Sequence, residues 1–491
     1  MNEQSALAAS SRRVALLGFL VLFAFAFAFW GGRSLMDSSE ARYGEVAREM
    51  LRDGDWLVPH LHGHPHLTKP PLAYWMFAGG MRLLGANAWG ARLPLAACFT
   101  GTVIALLVAA RSMVAEREKA LGACLVYATG AFSSASSYVL TTDPLLTFFV
   151  AAGIAAWWRD QRQASALAWW AFCICFGLAF MTKGPPALLH LIPIVALSLR
   201  ASRRGRIRPR RVVGAAAIIF VVGCWWYLVM IQRDPSLLAY YLKDEVVERI
   251  ATSKHGRDNS PLVYLLILAL GTFPWIFLWK PVLVRLGRIA RSPRGQGGAP
   301  RLPDPDFFLL VWLLAPLVVF VFSKSRMPLY ILPLFLPLSL LFGSQMGAAI
   351  DWLGRQAKPR RALVWGALGL WVALVVGARA LPDSFNARRS NREKGLQLAS
   401  ALAALQPPEE NLAWLFTRPQ HGVSFYMDRT VHDLDLKEFR DVVPWLGSRD
   451  LASWLFVADP DELGPLDEWD IAHERLATAG DLVVLRLKPT G

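Results

Sequence analysis

Long apolar stretches alternate with short polar ones from the amino terminus to about residue 381. Each stretch is long enough to cross a hydrocarbon core about 30 Å thick as a helix. They predict eleven spans, at 14–32, 89–113, 119–136, 138–158, 163–181, 185–199, 212–231, 261–283, 307–323, 328–346 and 361–381. The mean hydropathy of +0.35 agrees with this interpretation. The pattern therefore predicts an α-helical polytopic membrane protein.

Basic residues between the spans predict the orientation of the chain. Cytoplasmic loops of membrane proteins carry an excess of Lys and Arg. Six basic segments fall on alternate sides of successive spans: Arg12/Arg13, Arg111/Arg117/Lys119, Arg159/Arg162, 200–211, 285–301 and 358–361. We expect all six in the cytoplasm. With an odd number of spans, the carboxyl-terminal segment then lies outside, as do the long loops 33–88 and 232–260.

The segment 382–491 differs from the rest of the chain in its pattern of apolar and polar residues. Short apolar runs resemble strands, namely NLAWLF, VSFYM, ASWLFVA and DLVVLRL, and polar helical stretches near 391–405 and 435–443 separate them. We expect a small soluble α/β domain at 382–491, following a transmembrane domain at 1–381. Its sequence does not indicate a role.

Charge and cysteine content exclude some classes of protein. The formal net charge is +15, but 382–491 holds 12 Lys and Arg against 18 Asp and Glu, so 1–381 carries +21. This balance is typical of Arg-rich cytoplasmic loops and not of a nucleic-acid-binding protein. All five cysteines lie within apolar runs, which indicates neither disulfides nor a metal-thiolate site.

The first outer loop begins with DSSEARYGEVAREMLRDG, which predicts an amphipathic helix. Asp37 is placed to cap its start, with Glu40 three residues later, and Gly54 is placed to end it. Apolar residues share one face, while Glu45 and Glu49 lie on the opposite, charged face. Such a helix is expected to lie along the membrane surface. A second interfacial helix is predicted near 71–85.

Two aspartates at the outer surface have two interpretations each. Asp37 follows the first span, and Asp143 begins the helix of TTDPLL. Asp at a helix start is an ordinary capping residue. Alternatively, both are carboxylates that converge at the membrane surface and act on a lipid-linked substrate.

Cations on the outer face are informative because short outer loops tend to lack them. Lys69 in LTKPP and Lys183 in MTKGPP each precede a proline-containing helix break, and Lys324 and Arg326 lie in the short turn SKSRMPLYILP. Taken singly, each is explained by a long side chain that reaches water from a helix end. Together they predict a phosphate-binding cluster for an anionic lipid head group, with Tyr330 as a further hydroxyl donor.

Histidines gather in the same outer loops. The run HLHGHPH places His60, His62, His64 and His66 at alternate positions, and His255 lies in SKHGRDN. Imidazoles are common zinc ligands, so a divalent metal held by His62 and His255 is one interpretation. A metal-free polar loop is the other.

Several motifs together carry a family resemblance. DSSEARYGEVAREM directly follows the first span, and HLTKPPLAYW, TTDPLL, MTKGPP and SRMPLYILP come after it. Over about residues 10–350 the chain resembles the membrane-embedded glycosyltransferases that use lipid-linked sugars. Within these, it is most similar to the lipid A aminoarabinose transferases, a bacterial branch of the protein O-mannosyltransferase superfamily.

The resemblance implies a GT-C fold with about 11–13 spans in the bacterial inner membrane, and a periplasmic carboxyl-terminal domain. It implies a polyprenyl-phosphate sugar donor, a lipid or glycan acceptor such as lipid A, and no nucleotide. Asp37 and Asp143 then correspond to the two aspartates near the reacting centre. The positions expected around the donor phosphate are Lys69, Lys183, Arg257 and Tyr330.

One position departs from the resembled branch. The aminoarabinose transferases usually have an acidic residue before the lysine of the KP motif, where it helps to bind a metal, and this chain has Thr68. The departure weakens the case for zinc at His255 and leaves the sugar open. We therefore expect no required cofactor, with a divalent metal such as zinc as the alternative. A transporter or flippase for a lipid-linked or anionic substrate is the alternative function. It would need ionisable residues deep in the spans or internal repeats, and neither is evident.

Overall fold

The structure is a computed structural model that describes residues 17–29, 31–37, 39–114, 116–202, 209–248, 260–291, 304–380, 391–405, 411–433 and 454–488. Its α-helices are Leu17–Phe27, Glu40–Asp53, Leu72–Leu84, Ala88–Met113, Arg117–Thr129, Ala131–Ser136, Thr142–Gln163, Ala166–Lys183, Ile192–Ser202, Pro209–Arg233, Ser236–Ala239, Leu262–Leu270, Trp279–Arg291, Pro305–Phe322, Phe335–Gly343, Met346–Gly354, Lys358–Ala380, Asn391–Leu405, His421–Met427 and Gly464–Glu468. Short 3₁₀ helices cover Pro185–Leu191, Trp275–Leu278, Pro328–Leu334 and Pro460–Glu462, and a π-helix covers Tyr240–Glu248.

Among the described residues, five helices are long and apolar enough to cross a membrane: Ala88–Met113, Ala166–Lys183, Pro209–Arg233, Pro305–Phe322 and Lys358–Arg379. Two further pairs qualify together but are bent, by 104° between Leu262–Leu270 and Trp275–Arg291 and by 46° between Pro328–Gly343 and Met346–Gly354. The polytopic helical architecture is confirmed. The number of eleven spans stays a prediction, since length and hydropathy identify up to seven in the described part of the chain.

The chain divides into two compact units. The first comprises Met1–Ala28, Thr68–Ala73 and Leu95–Ala378, and the second comprises Phe29–Leu67, Tyr74–Pro94 and Arg379–Gly491. The predicted boundary at 381/382 stays a prediction.

In the first unit, a helical hairpin joins Thr142–Gln163 to Ala166–Lys183. Ala164 closes the first helix in the left-handed conformation, with φ 50°, and the Ser165 side chain accepts the N–H of Ala168 to start the second. The helices approach closely at Gly153, where a Cβ atom would lie 2.7 Å from the Phe176 ring. An antiparallel hairpin places the beginning of one helix beside the end of the next.

The second unit contains a four-stranded sheet with strand order β3-β4-β6-β5. The strands are β3 Leu412–Trp414, β4 Leu455–Ala458, β5 His473–Ala479 and β6 Leu482–Leu487. β3 and β4 are parallel, with Leu412 opposite Leu455, and the other pairs are antiparallel. Buried apolar residues cover both faces, and Leu398 and Val423 on two helices pack against one of them. The predicted α/β character is therefore confirmed.

Some element predictions for this segment are confirmed and one is wrong. Three of the four predicted strands and the helix near 391–405 are present, whereas VSFYM lies in the helix His421–Met427. That run is buried on nearly all sides, so its apolar character did not indicate a strand with one exposed face. The strand β5 was not predicted, and the predicted helix near 435–443 lies outside the described residues.

The amphipathic helix of the second unit runs from Glu40 to Asp53. Gly54 ends it as predicted, with φ 72° and its N–H bonded to the Met50 carbonyl oxygen. The prediction that Asp37 caps its start is wrong, because Ser39 is the capping position and no side chain bonds there. Glu40 nevertheless reaches back to the N–H of Met36, at 3.2 Å. The helix predicted near 71–85 is present as Leu72–Leu84.

A two-stranded hairpin follows in the loop that carries the histidines. β1, His60–Leu61, pairs with β2, His64–Pro65. The turn residues His62 and Gly63 both have positive φ, 55° and 79°, as a type I′ turn requires. The turn buries His62, which is 2% exposed, while His64 is exposed.

Candidate active site

Asp143 and Lys183 form a buried ion pair at one end of the helical hairpin in the first unit. Their side chains are 7% and 8% exposed, and the Lys183 ammonium donates to the Asp143 carboxylate. Asp143 is in the first turn of its helix but does not cap it, since Thr141 is the capping position. Lys183 is the last residue of its helix, before Gly184 and a 3₁₀ helix that begins with two prolines. The hairpin therefore joins two residues that the sequence predicted separately.

Tyr330 contributes its ring to the same place. The Lys183 Nζ lies 4.2 Å from the centre of the Tyr330 ring, within the range of a cation–π contact. The predicted hydroxyl contribution of Tyr330 stays a prediction. A lysine ammonium has three donors, so a carboxylate and a ring face leave this cation able to bind an anion as well.

Lys69 belongs to a second ion pair in the first unit. Its Nζ donates to Glu245 Oε2 at 2.8 Å and to the Thr68 carbonyl oxygen at 2.9 Å. Both charged side chains are 13% exposed. The neighbouring Thr68 supplies no carboxylate, but a glutamate 176 residues later does. Sequence reasoning missed Glu245, whose only signal was its place in the predicted outer loop 232–260.

Arg326 and Lys324 differ from the buried lysines. The Arg326 guanidinium donates to the Val321 carbonyl oxygen, at 3.1 and 3.3 Å, where the helix Pro305–Phe322 ends. A cation at this position stabilises the carboxyl end of a helix. Lys324 is exposed. Arg257 and His255 lie outside the described residues.

Asp37 lies in the second unit and is exposed. Its Oδ1 accepts the N–H of Gly422 at 2.9 Å, in the first turn of the helix His421–Met427. Desolvation raises the pKa of the Asp37 carboxyl, and the Gly422 N–H and the Lys394 charge oppose this rise only in part. Asp37 thus accepts a hydrogen bond at the start of the helix His421–Met427 and not at the start of the helix Glu40–Asp53. Its predicted convergence with Asp143 stays a prediction.

The predicted charged face of the Glu40–Asp53 helix is buried. Glu45, Arg48 and Glu49 are at most 2% exposed. Arg48 donates to both oxygens of Glu45 at 2.8 and 2.9 Å and to Asp428 at 3.1 Å. Burial and the neighbouring Glu45 raise the pKa of Glu49 to about 7.

Two histidines adjoin these carboxylates within the second unit. Glu49 accepts the backbone N–H of His62 at 2.8 Å and that of Gly63 at 3.2 Å. His62 Nε2 lies 2.7 Å from His421 Nδ1, and the two rings are stacked. Burial lowers the pKa of His62 to about 4 and that of His421 to about 3, so both imidazoles are neutral at pH 7.

Comparisons with known proteins agree with this architecture. Residues 15–230 match the dolichyl-phosphate-mannose-protein mannosyltransferase family. The chain is 31% identical over 349 residues to an undecaprenyl phosphate-alpha-4-amino-4-deoxy-L-arabinose arabinosyl transferase of Pseudomonas fluorescens, covering 70% of this chain and 60% of that protein. It is 33% identical over 377 residues to an undecaprenyl phosphate-alpha-4-amino-4-deoxy-L-arabinose arabinosyl transferase of Pectobacterium carotovorum, covering 74% of this chain and 64% of that protein.

A solved structure matches nearly the whole chain. The crystal structure of ArnT from Cupriavidus metallidurans bound to undecaprenyl phosphate superimposes with a TM-score of 0.76 at 18% identity, covering 96% of this chain and 97% of that one. The chain therefore has the GT-C fold and is similar in sequence to the aminoarabinose transferases. The oligosaccharyltransferase AglB from Archaeoglobus fulgidus shares the fold more distantly, with a TM-score of 0.55 at 10% identity.

The chain spans 60% and 64% of the length of these two curated relatives. The motif lysines Lys69 and Lys183 and the aspartate Asp143 all lie within the segment that matches the mannosyltransferase family model, as does Asp37. Tyr330 and Glu245 lie beyond that segment. The contacts described here therefore join residues of the matched segment to residues outside it.

Proposed function

We propose that the chain is a glycosyltransferase that moves a sugar from a polyprenyl-phosphate donor to lipid A or a related envelope glycolipid. The observation that carries the proposal is the buried Lys183 ammonium between Asp143 and Tyr330, in a chain of the GT-C fold. The relatives are named as transferases that use undecaprenyl phosphate-linked aminoarabinose. One solved neighbour was crystallised with undecaprenyl phosphate.

The reaction transfers the anomeric carbon from a phosphate oxygen of the donor to an oxygen of the acceptor. The bond to the phosphate breaks, and negative charge develops on the departing polyprenyl phosphate. Fixed cations that face this charge lower the barrier. Lys183 and Lys69 carry this role in the proposal, and Arg257, Lys324, Arg326 and the Tyr330 hydroxyl are the additional donors that the sequence predicts.

The Lys183–Asp143 and Lys69–Glu245 ion pairs are compatible with a site that binds an anion. A buried ammonium is costly without a counter-charge, and Asp143 and Glu245 supply one to Lys183 and Lys69. Each carboxylate also holds its lysine in one position, which reduces the entropy lost when the donor phosphate binds. The donor phosphate then binds to lysines that are already held in position, and no flexible cation has to become ordered.

Asp37 and Asp143 are the proposed catalytic carboxylates. A hydroxyl acceptor has to lose its proton during attack, so a carboxylate within hydrogen-bond reach acts as the base. A phosphate acceptor is already ionised and needs positioning. We propose the periplasmic face of the inner membrane as the location, because the six basic segments are expected in the cytoplasm. The domain division at 381/382 belongs to this proposal.

A zinc ion shared by His62 and His255 is the metal hypothesis that the sequence suggested. His62 points to a different set of partners, the buried glutamates of the second unit. The proposed transfer needs no metal, since the lysines supply the positive charge.

The experiment compares two variants that break the same ion pair. Lys69→Met removes the cation, whereas Glu245→Gln keeps it. Loss of a charge-assisted contact is worth about 1.5–3 kcal/mol, so we expect roughly ten- to hundredfold weaker donor binding in Lys69→Met. Glu245→Gln should bind the donor at least as well as the unmodified protein. Equal losses in both variants would show that the pair is structural and would remove Lys69 from the proposed site.

A further inference from the structure

Three segments far apart in sequence meet at one buried polar cluster in the second unit. Glu45 and Glu49 lie one helical turn apart on Glu40–Asp53, His62 is in the β1–β2 turn, and His421 begins the helix His421–Met427. One carboxylate oxygen from each glutamate and one ring nitrogen of His62 all lie within 4.8 Å of one another. In the part of the chain that the structure describes, this is the only group of His, Cys, Asp and Glu with that geometry.

Burial makes the charges of this cluster costly. Glu45 and Glu49 are 0% exposed, and the buried cation beside them is Arg48. Arg48 already pairs with both oxygens of Glu45 and with the exposed Asp428. One guanidinium therefore faces several carboxylates, and buried carboxylates need a balancing charge. A divalent cation would supply it.

The imidazole of His62 is fixed in orientation. Its Nε2 is paired with His421 Nδ1 at 2.7 Å, and the Val431 backbone also lies beside the ring. Metal-binding histidines are commonly held by a hydrogen bond to their other ring nitrogen. A buried and oriented imidazole thus adjoins the two buried carboxylates.

We propose that Glu45, Glu49 and His62 bind a divalent metal ion, with His421 positioning the imidazole. Two carboxylates and one imidazole are a donor set that suits zinc. The site differs from the metal position that the sequence suggested, since it uses neither Thr68 nor His255. It lies wholly within the second unit and does not depend on the proposed transferase activity.

The ion would have a structural role. It would tie the Glu40–Asp53 helix to the β1–β2 turn, which Glu49 already contacts through the backbone N–H groups of His62 and Gly63. Metal binding to a folded site stabilises the fold by mass action. Zinc should therefore raise the thermal stability of the protein even when no donor or acceptor is present.

The test uses the full chain, purified in detergent and stripped with a chelator. Zinc binding is measured by titration calorimetry and by metal analysis after desalting, and the unfolding temperature is measured with and without zinc. The variants are Glu49→Gln, which keeps an acceptor for one of the two backbone N–H groups, and His62→Asn, which tolerates the positive φ. The matched control is His60→Asn in the same hairpin.

We expect one bound zinc per chain and a zinc-dependent rise in unfolding temperature in the unmodified protein and in His60→Asn. Glu49→Gln and His62→Asn should bind zinc at least about tenfold more weakly. Equal binding in all four proteins would assign the metal to other histidines and overturn the proposal, as would no binding by the unmodified protein. If both site variants fail to fold, X-ray absorption of the zinc-loaded protein decides. Nitrogen and oxygen at about 2.0–2.2 Å with an imidazole signal support the site, and a shell without imidazole overturns it.

Discussion

Replacing Lys183 with methionine separates the structural role of the Asp143–Lys183 pair from its proposed role in donor binding. Methionine keeps most of the length and apolar volume of lysine but removes the ammonium. The Asp143 carboxylate, 7% exposed, is then buried without its partner. Removing one member of a buried ion pair costs about 3–5 kcal/mol, so Lys183→Met should be clearly less stable than the unmodified protein.

A second substitution, Asp143→Asn, should restore the stability of Lys183→Met without restoring the ammonium. Asp143→Asn in the Lys183→Met background removes the unpaired charge, and replacing both members of a buried pair is often close to neutral. The double variant should therefore regain most of the lost stability. Its donor affinity should stay about ten- to hundredfold reduced, because a charge-assisted contact of about 1.5–3 kcal/mol is absent.

The control is the exposed pair between Lys119 and Glu116, whose side chains are 35% and 56% exposed. Lys119→Met should cost at most about 1 kcal/mol and leave donor binding unchanged. Thermal unfolding and equilibrium binding of a polyprenyl-phosphate sugar are measured on all four proteins in the same detergent. Normal donor affinity in the stable double variant would refute the phosphate role of Lys183. A Lys183→Met protein as stable as Lys119→Met would refute the buried ion pair.

Two further predictions concern Asp37 and the orientation of the chain. Asp37→Asn should keep its stability, because the amide oxygen can still accept the Gly422 N–H, but it should lose most sugar transfer. Thermal unfolding and turnover are measured together. Normal turnover would leave Asp37 only its contact at the start of the helix His421–Met427. Gly205→Cys should react with an impermeant thiol reagent only from the cytoplasmic side and Gln420→Cys only from the outside, and the reverse pattern would place the proposed site on the wrong face.

Sequence patterns predicted the local elements well where one physical signal dominated. Gly54 ends its helix as expected, because a residue with φ 72° favours glycine. The strands β3, β4 and β6 follow from short apolar runs with turns between them. The prediction of a strand at VSFYM was wrong because a short apolar run does not distinguish a buried helix from a strand.

Long-range polar contacts were not predictable in the same way. Glu245 is one of several charged residues in its loop, and nothing in its local pattern indicates a bond to Lys69. The pairing of Asp143 with Lys183 depends on the turn between two helices and on their close packing. The burial of Glu45 and Glu49 depends on the segments around His62 and His421, so helical periodicity alone could not indicate it.

The most direct test of the proposed function is sugar transfer by the purified protein in liposomes. Lipid A and a set of polyprenyl-phosphate sugars, aminoarabinose included, are supplied, and products are identified by mass spectrometry. We expect lipid A to gain the mass of one sugar with the unmodified protein. Asp143→Asn should lose most of this transfer even in the folded fraction, although the unpaired Lys183 lowers its stability. Absence of transfer to lipid A or any co-supplied envelope glycolipid from every donor by a folded protein would contradict the proposed function. Movement of the intact donor between leaflets would then support the transporter alternative.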